Sequence, residues 1–237
     1  MADDCPSQDL TLSLIIWKAV RTIMLGAEIP DLNLFMMCGS LCSSACSELP
    51  LGYSFRLCQM NELETWKALQ IDDSEQYDAH DAVLSEYIEK VYAPRDNEFF
   101  DQCVFICNSE DRPVGTCLIW KAYNSFSTIH WLKVLPQFEG KGLGRAILSC
   151  VLKELPEDEY PVFLHTQPSS YRAIKLYSDL GFKLLADEVI GYRKNDIAES
   201  MPILKEYLSD KDYQNLKVTT SPPFFLEAVM SSTIGEF

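Results

Sequence analysis

A glycine-rich turn is the segment of this sequence whose chemistry is easiest to interpret. Residues 134–145 read Val-Leu-Pro-Gln-Phe-Glu-Gly-Lys-Gly-Leu-Gly-Arg, between a strand-like apolar run and an amphipathic helix-like run. The first N–H groups of a helix have no partner within the helix, and the helix dipole places partial positive charge there. Glycines let a ligand approach the backbone closely, and Lys141 and Arg145 add positive charge. The pattern predicts a phosphate or pyrophosphate site, with a plain glycine-rich turn as the alternative.

The sequence of this turn does not match either of two common nucleotide-binding motifs. The dinucleotide fingerprint Gly-x-Gly-x-x-Gly, begun at Gly140, requires glycine where the chain has Arg145. The P-loop requires Ser or Thr after Gly-Lys, but Lys141 is followed by Gly142. A nucleotide-dependent enzyme is therefore disfavoured.

The spacing Gln-x-x-Gly-x-Gly at 137–142 resembles the acyl-CoA-binding signature of the GCN5-related N-acetyltransferase (GNAT) superfamily. Residues 169–182 are similar to that superfamily's Asn-x-x-Ala-x-x-Leu-Tyr-x-x-x-Gly-Phe signature, with Ser170 in place of the frequent Asn. This replacement puts one contact to the pantetheine arm, or to the chain turn, in doubt. The two motifs occur in the family's order, and the resemblance covers about residues 53–189.

The resemblance implies a binding site for acetyl-CoA, used as the acyl donor. Backbone groups of Leu132 and Val134 would pair with the pantetheine arm, where the strand before the glycine turn separates from the strand at 162–166. Backbone N–H groups of the turn would hold the pyrophosphate. The cofactor-binding positions predicted in this way are Leu132, Lys133, Val134, Gln137, Phe138, Glu139, Gly140, Lys141, Gly142, Leu143, Gly144, Arg145, Ser170 and Ala173.

The implied reaction is direct attack of a neutral amine on the thioester, which requires a proton acceptor for the amine and a donor for the leaving thiolate. Tyr177 falls at the family's thiolate-protonating tyrosine, with an ordinary core aromatic as the alternative. His130 is the candidate base, because it shares the sheet face of Val134 if no bulge intervenes and an unperturbed histidine titrates near neutral pH. A histidine that only packs or hydrogen-bonds is the alternative. His165 is a weaker candidate, and His80 is interpreted as a solvated helix residue.

The elements that must position these residues predict an α/β (α+β) fold with a mixed sheet flanked by helices. The resemblance implies that this sheet is centrally splayed, as in a GNAT-like acyl-CoA-binding fold. Strands are predicted at 53–57, 102–107, 114–123, 126–134, 162–166 and 182–189, and helices at 142–155 and 171–180. Residues 1–50 are interpreted as a partly helical N-terminal extension of unknown role, and 51–195 as the acetyltransferase-like domain. Residues 196–237 are predicted to add a helix and then a strand-like segment around Pro222 and Pro223, which complete or cap the domain.

The N-terminal extension, residues 1–50, contains two sequence patterns that could have a function. Its apolar run at 10–27 is interrupted by Lys18 and Arg21, which favours an amphipathic helix over a membrane span. Cys38, Cys42 and Cys46 would share one helix face if 36–46 were helical. Packing of small residues is preferred to a metal site, because no further ligands complete a set. A homodimer, a cap on the domain and a share in the acceptor site are all open roles for this extension.

The amino-acid composition limits the classes of partner that the chain is expected to bind. The chain has 237 residues with 35 acidic and 20 basic side chains, a formal net charge of −15 that disfavours nucleic-acid binding and favours cationic partners. Ten acidic residues between 71 and 101 form either a solvated helix face or a funnel for a cationic amine. Nine scattered cysteines and an N-terminus without a basic signal region predict a cytoplasmic protein.

These features together predict an acetyl-CoA-dependent N-acetyltransferase that needs no metal, because the thioester is already activated. The acceptor is expected to be a primary amine: a small cationic or aromatic amine, or a peptide amine. The alternative is a catalytically inactive acyl-CoA-binding or interaction module of the same fold.

Overall fold

The computed structural model of the chain describes residues 29–71, 77–231 and 235–237, apart from the side chains of 77–79. Its centre is a sheet of eight strands, β1 (Leu34–Cys38), β2 (Ser54–Leu57), β3 (Cys103–Cys107), β4 (Pro113–Ala122), β5 (Phe126–Val134), β6 (Val162–Thr166), β7 (Phe182–Leu185) and β10 (Val218–Thr219). Their order across the sheet is β10-β7-β1-β6-β5-β4-β3-β2. A separate hairpin is formed by β8 (Val189–Ile190) and β9 (Arg193–Lys194).

Helices cover both faces of the sheet. They are α1 (Leu63–Gln70), α2 (Tyr77–Tyr87, continued by a π-helical turn Ile88–Tyr92), α3 (Glu98–Gln102), α4 (Leu143–Lys153), α5 (Tyr171–Asp179), α6 (Ile197–Tyr207), α7 (Asp210–Asn215) and α8 (Pro223–Ser231). The face that packs against α4, α5 and α6 is called the α4 face, and the face that packs against α1, α2, α3 and α8 is called the α1 face. In β6, Val162 and Leu164 belong to the α4 face and Phe163 to the α1 face, as the alternation of a strand requires. The predicted mixed sheet flanked by helices is confirmed.

Strand β1 corrects the predicted N-terminal boundary. It lies between β6 and β7 and is antiparallel to both, so residues 34–38 are part of the sheet and not of an extension ending at residue 50. Leu34 and Met36 are buried on the α4 face, whereas Phe35 is buried on the α1 face. A strand covered on both faces is apolar at every position, and a short run of this kind has the same appearance as a buried helix.

The same strand decides whether Cys38, Cys42 and Cys46 lie on one helix. The helix considered for 36–46 is wrong, because Cys38 ends β1 while Cys42 and Cys46 flank a single 3₁₀ turn. The three thiols therefore do not share a helix face. The amphipathic segment at 10–27 lies outside the described residues.

Two further differences concern the ends of elements. The strand predicted at 182–189 ends at Leu185, and the segment predicted as strand-like around Pro222 and Pro223 contains the short β10 followed by helix α8. Gly181, which ends α5, has a φ of +108°, and a Cβ there would lie 2.8 Å from the Ser40 carbonyl oxygen. Glycine is therefore needed for the turn that returns the chain into β7.

Candidate active site

Strands β5 and β6 separate in the middle of the sheet. They run parallel, and among the described residues Thr128 opposite Phe163 is the one pair that joins them. Beyond it, β5 continues to Val134, close to the glycine-rich turn, while β6 pairs with β1 instead. The resulting gap is the predicted splay.

A bulge in β5 decides which residues face which side of this gap. Trp131 has a φ of +52°, and β5 there contains one more residue than the facing part of β4. Val134 consequently packs on the α4 face, whereas His130 contacts Tyr92, which is buried on the α1 face. His130 was expected to share the face of Val134 only without a bulge, so that expectation is wrong.

The backbone at the end of β5 points hydrogen-bonding groups into the gap. The Leu135 N–H donates to the Val114 carbonyl at 2.9 Å, and the Lys133 carbonyl oxygen is directed at β4, where a Cβ on Gly115 would come within 2.8 Å of it. Backbone groups alternate between the two edges of a strand, so the N–H and C=O of Val134 face the gap. This geometry agrees with the predicted contact of Val134 with an extended arm, but the Lys133 backbone faces the other way.

The glycine-rich turn brings the N-terminus of α4 to the same place. Gly140 and Gly142 have φ values of +73° and +82°, which other residues rarely adopt. The Gly142 carbonyl accepts the Ala146 N–H at 3.0 Å and no side chain caps the helix, so the N–H groups of residues 142–145 have no partner within it. A Cβ on Gly140 would meet no atom within 4 Å. The turn therefore presents a row of donors beside open space, which fits a pyrophosphate.

Other predicted cofactor-binding residues frame the turn. Phe138 packs edge-on against Tyr53 and beneath the Lys141 ammonium, and Glu139 pairs with Arg172 of α5 at 3.0 Å. Gln137 is exposed, the Leu143 side chain is buried in the core, Ser170 precedes the first residue of α5, and Ala173 packs at the edge of the α4-face core. Leu143 can therefore offer a ligand only its backbone.

Arg145 differs from the prediction. Its guanidinium donates to the Ala45 carbonyl at 3.0 Å and pairs with Asp179 of α5. The side-chain charge is therefore compensated within the protein and does not reach a phosphate at the turn. The backbone N–H of Arg145 remains among the donors of the helix N-terminus.

Tyr177 lies on the α4 face of the gap. One residue earlier in α5, Leu176 would be 3.6 Å from a Cβ on Gly144, so the start of α4 and the middle of α5 meet there. Tyr177 is buried, and this burial, with a smaller contribution from Cys117 in β4 opposite the bulge, raises its pKa. Its hydroxyl stays protonated at neutral pH and can donate a hydrogen bond.

His130 occupies the α1 face in a defined hydrogen-bond network. Its Nδ1 is 2.7 Å from the Tyr92 hydroxyl, which accepts the Trp131 Nε1–H at 2.8 Å. Because an indole N–H can only donate, the Tyr92 hydroxyl keeps its own proton for one further partner, either Nδ1 of His130 or the Tyr87 hydroxyl. Burial, followed by the charge of Arg193, lowers the pKa of His130 to about 3, although a backbone hydrogen bond to Glu236 favours the charged form. The unperturbed pKa expected of His130 is therefore wrong, and the residue is a weak base.

Sequence reasoning missed most of the polar residues around His130. Arg193 of β9 donates to Nδ1 of His165 at 3.0 Å, and the carboxylate of Glu236 accepts hydrogen bonds from Trp120 and from the Tyr123 N–H. Nε2 of His165 lies 3.1 Å from the Asn33 side-chain oxygen, so both ring nitrogens are engaged and neither is a free base. These residues come from distant elements without a common motif, and only the fold brings them together.

The acidic stretch and His80 also differ from expectation. Asp81, Glu86 and Glu98 each lie within 3.0 Å of a basic nitrogen, those of Lys67, Lys90 and Arg95 respectively, so part of the acidic charge is compensated. His80 is 1% exposed and is not a solvated residue. Asp72, Asp73 and Glu75 lie outside the described residues.

The sequence also matches a known protein family. Residues 65–182 match the sequence model of the acetyltransferase (GNAT) family. The chain belongs to the GNAT family. The predicted resemblance to this family is thereby confirmed, and membership supports acyl transfer as the general activity.

Solved structures of GNAT proteins resemble the chain at low sequence identity. An acetyltransferase of Staphylococcus aureus is 17% identical, covering 54% of this chain and 82% of that one, with a TM-score of 0.39. A GCN5-related N-acetyltransferase from Sphaerobacter thermophilus is 16% identical with a TM-score of 0.40, and the match covers 63% of this chain but 47% of the other. An acetyltransferase of Colwellia psychrerythraea is 9% identical, covering 76% and 71%, with a TM-score of 0.46. No curated protein matches the sequence.

Two features are absent from the described ranges. No helix there is long and apolar enough to cross a membrane. No cluster of three or more His, Cys, Asp or Glu side chains in that part of the chain could hold a metal ion.

Proposed function

We propose that this GNAT protein transfers an acetyl group from acetyl-CoA to a primary amine. The observation that carries the proposal is the position of the α4 N-terminus, with its unpartnered N–H groups, at the open edge of β5. A pyrophosphate bound by residues 142–145 is followed in coenzyme A by an extended amide-containing arm. The backbone of Val134 can pair with such an arm as a neighbouring strand would.

The chemistry then takes place where β5 and β6 separate. The amine nitrogen attacks the thioester carbon, the C–S bond breaks, and the sulfur leaves as a thiolate. The amine loses one proton to solvent, and a proton from solvent in turn replaces the one that Tyr177 gives to the sulfur. Tyr177, protonated and near the bulge, donates its hydroxyl proton to the leaving sulfur. His130 lies across the gap with both ring nitrogens already engaged, Nδ1 by the Tyr92 hydroxyl and the other by the Glu236 backbone. It therefore shapes the acceptor side and does not remove the amine proton.

Calorimetric titration of acetyl-CoA tests the binding step. Wild-type protein should bind saturably, and Gly142→Glu should abolish binding, because a carboxylate at the helix N-terminus would repel and displace the pyrophosphate. Gly39→Glu is the matched control, since it adds the same charge at an exposed site where a Cβ meets nothing within 4 Å.

Thiol release with a panel of amines tests the transfer step. Binding together with amine-dependent release supports the proposal. Binding without release for any amine would instead identify an inactive acyl-CoA-binding module. Absence of binding at millimolar acetyl-CoA would remove the proposal altogether.

A further inference from the structure

Arg193 is the arginine whose surroundings differ from those of all others in the described ranges. Each of the other described arginines has a carboxylate partner: Arg56 with Glu62, Arg95 with Glu98, Arg112 with Glu110, Arg145 with Asp179 and Arg172 with Glu139. Among the described residues, no carboxylate lies within ion-pair distance of Arg193, although the chain carries 35 acidic side chains. Its hydrogen bond goes to an imidazole nitrogen, Nδ1 of His165.

The remaining contacts of this guanidinium are aromatic. It lies 5.2 Å from the ring centroid of Phe35 and 6.0 Å from that of Phe237. A guanidinium has five N–H donors in a planar fork, and one of them is used by His165. Burial lowers the pKa of Arg193 to about 10. A partly buried guanidinium with no carboxylate partner among the described residues is a site at which an anion from outside can bind.

The position of Arg193 identifies where that anion would lie. His165 on β6 and His130 on β5 each follow the Thr128–Phe163 pair by two residues, so they stand on the same face at the two sides of the gap. Arg193 binds the first and is close enough to the second to lower its pKa. Arg193 and His130 are both partly buried.

We infer that Arg193 binds the carboxylate of the acceptor, so that the acceptor is an amine of the amino-acid class. The inference rests on the proposed acetyl transfer and names its substrate class. A guanidinium fork matches the two oxygens of a carboxylate, and in an amino acid that group lies next to the amine that must reach the thioester. The acceptor would therefore be a zwitterion and not the purely cationic amine expected from the net charge.

The test compares acceptors that differ in the carboxylate alone. A pool of L-amino acids, the pool of the corresponding decarboxylated amines, and O-phosphoethanolamine are each supplied with acetyl-CoA, and thiol release is measured. Active members are then assayed singly. We expect kcat/KM for an amino acid to exceed that of its decarboxylated partner by about 10–100-fold, the range for one hydrogen-bonded charge.

Substitutions of Arg193 test whether this side chain causes the preference for amino acids over decarboxylated amines. Arg193→Gln should remove the preference, chiefly through KM for the amino acid, while calorimetric binding of acetyl-CoA stays unchanged. Arg193→Lys should keep part of it, because the charge remains without the fork. Arg112→Gln is the control, an exposed arginine on the turn between β3 and β4. The wild-type comparison needs no variant and is informative even if Arg193→Gln fails to fold.

Binding without turnover separates this inference from the proposed function. If no amine supports thiol release, the melting temperature of the coenzyme A complex is measured with each pool. Stabilisation by the amino-acid pool that is lost in Arg193→Gln would retain the carboxylate site while transfer fails. Equal use of both pools, better use of O-phosphoethanolamine, or neither turnover nor stabilisation with the amino acids would overturn the inference.

Discussion

At the scale of single residues, the two predicted catalytic side chains have opposite surroundings. Tyr177 is enclosed by apolar atoms on the α4 face, and His130 by hydrogen-bonding groups on the α1 face.

We expect Tyr177→Phe to lower kcat about 100-fold, the usual effect of removing a proton donor, with the acetyl-CoA dissociation constant unchanged. Steady-state kinetics and calorimetry measure the two. Tyr207→Phe, on the exposed side of α6, is the matched control, and a Tyr177→Phe enzyme with full kcat would exclude the assigned role.

The low pKa of His130 has a consequence for stability. In the unfolded chain its pKa is about 6.5, so protons bind there from neutral pH downward, whereas the folded imidazole resists protonation to about pH 3. Its contribution to the free energy of unfolding is complete above the unfolded pKa and is lost progressively as pH falls toward 3. Between pH 7 and 5, wild type should lose up to about 2 kcal/mol more than His130→Gln, measured by urea unfolding. Equal losses would show that the folded histidine titrates normally.

At the scale of elements, strands whose ends are marked by turn signals were predictable and segments enclosed on all sides were not. Strands β5 and β6 coincide with the predicted bounds, because Pro136 and the residues around Pro161 break the chain there. In β1 the alternation that distinguishes a strand from a helix is absent, since both of its faces are buried. The bulge at Trp131 carries no glycine or proline signal, so the face of His130 could not be foreseen.

Helix α8 is another enclosed segment that the sequence did not predict. Two neighbouring phenylalanines in it, one buried and one exposed, test how it packs. Phe225 is 0% exposed and stacks on Phe163 of β6 with the ring centroids 4.0 Å apart, whereas its neighbour Phe224 is 44% exposed. Phe225→Ala should lower the free energy of unfolding by about 3–5 kcal/mol, the cost of removing a buried ring. Phe224→Ala should lower it by less than about 1 kcal/mol. Similar losses in the two variants, in urea unfolding, would mean that α8 does not pack as described.

The residues of the candidate site also differ in whether the sequence could predict them. The glycine-rich turn and Tyr177 belong to continuous motifs, and the predicted splay followed from the same resemblance. Arg193, Tyr92 and Glu236 belong to no motif, because their proximity depends on how β9, the end of α2 and the C-terminal residues meet over the gap. The residues proposed for the donor side are thus local in the sequence, whereas those proposed for the acceptor side are brought together only by the tertiary fold.

At the scale of the whole molecule, the net charge of −15 opposes the approach of a polyanion such as acetyl-CoA, while the bound state depends on the local donors of the α4 N-terminus. Salt screens charges that are separated by more than about 10 Å at 0.1 M, so it acts mainly on the approach. We expect the association rate constant of acetyl-CoA, measured by stopped-flow, to rise about two- to tenfold between 20 and 300 mM NaCl. The dissociation rate constant, measured in the same experiment, should rise much less, because it reports the short-range contacts. An association rate constant that falls with salt would mean that a local field around Lys141, and not the charge of the whole chain, governs the encounter.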